Sequence, residues 1–136
     1  MNVPQLLAEL ERDEGMRLEP YRDTVGKLTI GVGRNLDDMG ISEAEARFML
    51  ANDAKRAERD ARRALPSFDE LSETRQRALV NMTFNLGLPG LLKFTDMLAA
   101  LAAHDYERAA AEALDSRWAR QVGERAERIA TMIKEG

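Results

Sequence analysis

Read for the spacing of its apolar positions, the chain is helical nearly throughout, with one interruption near the start. Leu6, Leu7 and Leu10 mark a short amphipathic helix, with Pro4 tolerated in its first turn and Gly15 placed to stop it. Residues 17–33 then switch to a period of two. In "KLTIGVG", Leu28, Ile30 and Val32 point one way and Thr29, Gly31 and Gly33 the other. The preceding "DTVG" has the chemistry of a turn, with Asp23 able to form an Asx-turn and Gly26 able to take positive φ. A hairpin is expected here. "DDMGIS" reads as a loop, and "SEAE" (Ser42 to Glu45) as a capping box opening a long helix to about residue 64. Leu50, Ala54, Ala57 and Ala61 give that helix a narrow apolar stripe, so much of it is expected to stay exposed. Pro66 ends it. A core helix follows through Ala78, Leu79, Met82 and Leu86, stopped by Gly87 and Pro89; another covers residues 93–103. Tyr106, Ala109, Ala110, Ala113 and Leu114 fit the helical period for the next, and residues 118–133 form the last, with a break near Gly123.

These elements predict an α+β fold, mostly α: a small β-hairpin lobe and a helical lobe joined by a long helix, with a cleft between. The hairpin lobe is placed at about 13–50, the linking helix at about 42–64, and the helical lobe at about 66–136 plus residues 1–12. Residues 1–12 go with the helical lobe because Leu6, Leu7 and Leu10 need a core that a small lobe cannot supply. At 136 residues, 44% apolar and 32% charged, the chain suits one compact domain. Net charge is −4 with no basic block, which argues against nucleic acid as the partner. Cysteine is absent and His104 is the only histidine, so thiolate chemistry, a Ser–His–Asp triad and a His-rich metal site are all unsupported. The start, "MNVPQLLAEL", has neither a basic nor a long apolar segment, so no signal peptide is expected. No run approaches membrane-spanning length.

The interruption carries the chemistry. "DEGMRLEPYRDTVGKLTIGVG" (13–33) sets Glu14 and Asp23 on either side of the hairpin's first strand. Glu14 falls at a helix C-terminus, where the negative end of the dipole disfavours a second negative charge and favours the protonated acid. Asp23 falls at a turn, where backbone N–H groups stabilise a carboxylate. Two carboxyls in environments that push them apart suit glycosidic cleavage: one protonates the leaving oxygen, the other activates water or attacks the sugar. Thr29 lies across the hairpin from Asp23 and could hold that water, while Gly31 and Gly33 would let a sugar chain lie close to the backbone. Against this stands the plain fact that the chain has 24 acids, most of which serve only to solvate it.

The pattern E-G-x-R-L-x-x-Y-x-D-T-x-G-x-x-T-I-G-x-G, present as "EGMRLEPYRDTVGKLTIGVG", resembles the bacteriophage-type lysozyme (endolysin) family, glycoside hydrolase family 24. "NMTFNLG" (81–87), "FTDML" (94–98), "SRWARQ" and "RAERI" resemble its later segments in the right order, so the likeness spans nearly the whole chain. The resemblance implies an endo-acting muramidase cutting β-1,4 bonds between N-acetylmuramic acid and N-acetylglucosamine. Glu14 matches the general acid, Asp23 the second carboxylate and Thr29 the water-positioning threonine. That arrangement is associated with inversion, for which carboxyls about 6.5–9.5 Å apart are expected. Arg125 matches an arginine that partners the catalytic acid. Phe84, Asn85, Met97 and Glu112 stand where relatives line the sugar subsites. Phe84 could equally be a core residue. Trp118, the sole Trp, is expected to be a buried anchor rather than a sugar platform, and Arg117 to tie helices together. No metal or organic cofactor is implied.

The chain departs from the family in places. Relatives commonly carry His where Arg34 stands; Arg34 either makes a structural ion pair with an acid or contacts the sugar, and Asn35 beside it is a further sugar-contact candidate. The stretch between hairpin and long helix is short. A pI near 5.1 removes the electrostatic attraction of a basic enzyme to an anionic wall. The partners implied are peptidoglycan glycan strands, with no nucleic acid and no membrane insertion. A monomer is expected. It would accumulate in the host bacterial cytoplasm and depend on a holin to reach periplasmic peptidoglycan and lyse the cell. The competing readings are a non-catalytic peptidoglycan-binding module, against which the joint presence of Glu14, Asp23 and Thr29 argues, and a helical nucleic-acid binder, which the acidic balance disfavours.

Overall fold

A computed structural model describes all 136 residues. The fold is α+β and mostly α: 71% of residues are helical, beside one three-stranded antiparallel sheet. The chain groups into two compact units, residues 1–48 and 49–136.

In the first unit, α1 (Val3–Glu14) is opened by Asn2, whose side chain accepts the Gln5 N–H at 3.0 Å, and closed by Gly15 at φ 75°. β1 (Arg17–Arg22) pairs with β2 (Leu28–Gly31), bringing Arg17 opposite Gly31 and Tyr21 opposite Thr29, with an irregularity between. β2 pairs in turn with β3 (Arg34–Asn35), setting Thr29 opposite Asn35. The short helix α2 (Leu36–Met39) occupies part of the stretch expected as loop. The capping box forms as expected at the start of α3 (Glu43–Ala64): Ser42 Oγ accepts the Glu45 N–H at 3.1 Å and Glu45 Oε1 the Ser42 N–H at 2.9 Å. Residues 1–12 group with the sheet and not with the helical unit expected for them. Leu6, Leu7 and Leu10 stay 36%, 60% and 43% exposed. Instead of entering a core, Leu7 and Leu10 line a hollow with Val32 and Gly33 of their own unit. This unit contains no fully buried apolar side chain; Thr29, at 3% exposure, is its one buried residue.

The second unit holds the apolar core. Ala57 and Ala61 of α3 turn inward, followed by Leu65 and by Phe68 in a single 3₁₀ turn. The central helix α4 (Glu73–Leu92) buries Ala78, Leu79, Met82 and Leu91, and breaks at Gly87, where φ is 71°. Around it pack α5 (Thr95–Ala102), α6 (Tyr106–Leu114), α7 (Arg117–Val122) and α8 (Glu124–Glu135). Gly123 at φ 58° separates the last two, where the sequence places the break. Arg75 fastens the chain end, donating to the carbonyls of Ile133 (2.7 Å) and Lys134 (3.2 Å) while its guanidinium lies over the Tyr106 ring. No helix is long and apolar enough to cross a membrane.

Candidate active site

The three residues matched to the reaction all lie in the first unit. Glu14 is the last residue of α1, exposed and held against the loop that joins β2 to β3. Gly33 has φ +72°, a conformation that favours glycine, and a Cβ there would stand 3.1 Å from Glu14 Oε2, the movable end of an exposed side chain. Glu14 lines a hollow of about 380 Å³ with Leu7, Leu10, Glu11, Val32 and Gly33, a wall of mixed polarity beside the carboxyl. Within its unit Glu14 makes no hydrogen bond or ion pair.

Asp23 and Thr29 converge on one residue, Lys27. Asp23 Oδ1 accepts the N–H groups of Val25 (3.0 Å) and Lys27 (2.8 Å), the expected Asx-turn extended by one more bond. The Asp23 N–H donates to the Lys27 carbonyl at 2.9 Å, and the Gly26 N–H to the Asp23 carbonyl at 3.0 Å. The buried Thr29 hydroxyl also donates to the Lys27 carbonyl, at 2.9 Å. Two consequences follow. One Asp23 oxygen is saturated by backbone amides, which leaves Oδ2 as its free acceptor. The Thr29 proton is committed, which leaves its oxygen able only to accept.

Arg34 resolves one of its two open roles. Its Nη1 donates to Glu45 Oε1 at 2.8 Å and to the Gly40 carbonyl at 3.2 Å. The same Glu45 oxygen accepts the Ser42 N–H, so β3 is tied to the first turn of α3. The Arg34 guanidinium first, and Ser42 second, hold the Glu45 carboxyl down at about 2. Asn35 caps α2, its Oδ1 accepting the Asp38 N–H and its Nδ2 donating to Asp38 Oδ2, each at 3.0 Å, so both ends of its side chain serve the fold.

The other candidates lie in the second unit. Phe84 is 44% exposed on α4 and lines a hollow of about 600 Å³ with Val80, Asn81 and Arg125, which puts it outside the core. Within that unit Arg125 donates to the Asn81 side chain at 3.0 Å and to its carbonyl at 3.3 Å. Asn85 is exposed and accepts the Trp118 indole N–H at 2.7 Å. Trp118 is 5% exposed and meets Phe94 edge to face, the anchor the sequence suggests. Met97 is 1% exposed and belongs to the core, reaching only the floor of a hollow that the half-buried Glu112 and the exposed Arg117 also line. No group of acids and histidine is arranged to hold a metal ion.

Sequence reasoning passed over Lys27, Asp37 and Asp38. The Lys27 ammonium pairs with Asp38 at 3.1 Å, and the Leu28 N–H donates to Asp37 Oδ2 at 2.8 Å. The available signal was Asn35 three residues before Asp38, the spacing of a helix cap.

Comparison with known proteins extends the geometry. The family model for phage lysozyme matches residues 11–133. The pre-baseplate central spike protein Gp5 of Enterobacteria phage T4 is 33% identical, over 93% of this chain and 27% of its own length. This chain therefore spans only about a quarter of that relative. Two Dictyostelium discoideum proteins, probable T4-type lysozymes 2 and 1, are 28% and 27% identical. They match over 98% and 93% of this chain and 96% and 92% of their own lengths. A match running from residue 11 to residue 133 takes in the acid, the turn and the helical core together, and the chain belongs to the phage lysozyme family.

Proposed function

We propose that this protein is an endolysin-type muramidase that hydrolyses the β-1,4 bond between N-acetylmuramic acid and N-acetylglucosamine in peptidoglycan, with inversion. The reading is supported above all by the shared anchorage of Asp23 and Thr29 on Lys27. A water between them donates one hydrogen to Asp23 Oδ2 and the other to Thr29 Oγ1. Its lone pair is then turned away from both, toward an anomeric carbon on the open side. Asp23 takes the water's proton as the new C–O bond forms. Glu14 delivers its proton to the departing glycosidic oxygen as the old bond breaks. Phe84, Asn85 and Glu112 contribute to the sugar subsites.

Release of new reducing ends from purified peptidoglycan tests this. Wild type is expected to release them and Glu14→Gln to lose at least about 10²-fold in rate, the scale of a missing general acid. A protein that binds peptidoglycan without releasing reducing ends would be a binding module instead.

A further inference from the structure

The Asp23 turn belongs to a unit with no apolar core, so packing does not fix its position. Its fixed points are polar, and most of those outside the turn come from α2. The Leu28 N–H, where β2 begins, donates to Asp37 Oδ2 at 2.8 Å. The Lys27 ammonium is held by Asp38 at 3.1 Å, and Asp38 is itself held by Asn35, the register partner of Thr29. From the other side, Arg22 donates to the Gly26 carbonyl at 3.1 Å and approaches Asp37 Oδ2 to 3.7 Å. Both peptides that follow the turn, at Lys27 and Leu28, are thereby fixed, and Lys27 is the residue on which Asp23 and Thr29 converge.

We propose that α2 is a positioning clasp for the hydrolytic half of the site, with Asp37 its main residue and Asp38 its second. The proposal rests on the muramidase reading for what the clasp achieves. Neither acid touches substrate. Asp37 fixes the plane of the Lys27–Leu28 peptide, which sets the Thr29 hydroxyl and the free oxygen of Asp23 relative to each other. A short acidic helix thus does for this turn what a buried side chain would do in a larger lobe. The charges alternate around the turn: Arg22, Asp37, Lys27 and Asp38. Asp38 raises the affinity of Lys27 for its proton, and Lys27 in turn favours the ionised Asp38, so this pair stays charged across the neutral range.

The test compares Asp37→Ala with Asp37→Asn on peptidoglycan, and reads amide hydrogen exchange at Lys27 and Leu28 by NMR. The Asn side chain keeps an oxygen for the Leu28 N–H. The expected result is a roughly tenfold lower kcat for Asp37→Ala with KM within about twofold, and recovery of most of the loss in Asp37→Asn. Exchange at Leu28 and Lys27 should accelerate at least about tenfold in Asp37→Ala, while α4 and α8 amides stay unchanged. Unchanged exchange in Asp37→Ala overturns the clasp. So does an Asp37→Asn variant as poor as Asp37→Ala, or a loss confined to KM. Wild type without turnover would defeat the muramidase reading alone, and the exchange arm would still decide whether α2 holds the turn.

Discussion

At the scale of single residues, the site is arranged by what each oxygen has left to offer. Thr29 is buried, and its hydroxyl donates to a carbonyl that also receives the Asp23 N–H. Thr29→Val keeps the shape and leaves that carbonyl its second donor, so the fold should survive. Turnover should fall by about 10²-fold, the scale of a misplaced nucleophile, which reducing-end release would measure alongside an unchanged circular dichroism spectrum. Arg34 and Glu45 carry a pH consequence. The Glu45 carboxyl is held at about 2, below its ordinary 4.5. A depressed carboxyl stabilises the fold fully above its unfolded value and loses that contribution as pH falls through its folded value. The difference in Tm between wild type and Glu45→Gln should be constant above pH 4.5 and close as pH falls toward 2. A guanidinium does not titrate between pH 5 and 8, where a histidine at position 34 would. A gap that instead changed across that neutral range would contradict the Arg34 pairing.

At the scale of elements, the two units are held by different means. The second is a packed helical core, with Leu79 of α4 1% exposed among Met82, Leu101 and Ile129. Leu79→Ala should cost about 2–5 kcal/mol in chemical denaturation, whereas an equal truncation at the 83% exposed Leu18 should change little. The contrast between the units also explains what could be read from the sequence. α1, the hairpin, the capping box of α3 and the break at Gly123 are written in short-range signals and are present, whereas Gly87 interrupts α4 without ending it, the helix resuming through Pro89 to Leu92. β3 has two residues and therefore no period; α2 has four and buries nothing, so neither leaves an apolar pattern. Within the site, the Asx-turn at Asp23 is local and legible. The Arg34–Glu45 and Lys27–Asp38 pairs each join residues eleven apart, and only the fold chooses those partners among many charges. Met97 shows the reverse: the sequence resemblance suggests it for a sugar subsite, and the period of α5 turns it into the core.

At the scale of the whole molecule, the proposed function makes net charge a testable quantity. On the muramidase reading, a net charge of −4 would face an anionic polymer, so screening would remove repulsion where a basic enzyme would lose attraction. The rate on intact peptidoglycan should therefore hold or rise between roughly 0.01 and 0.15 M salt, over which the Debye length falls from about 30 to 8 Å. A steep fall over that range would point to a basic binding surface not visible in the charge distribution. The central claim is more specific: a water held by Asp23 and Thr29 attacks opposite the bond that Glu14 protonates. Proton NMR of the anomeric signals in the first minutes of peptidoglycan digestion tests it most directly. The α anomer of the new reducing end should appear first, with the β anomer growing in by mutarotation. Initial release of the β anomer, the mark of retention, would contradict it.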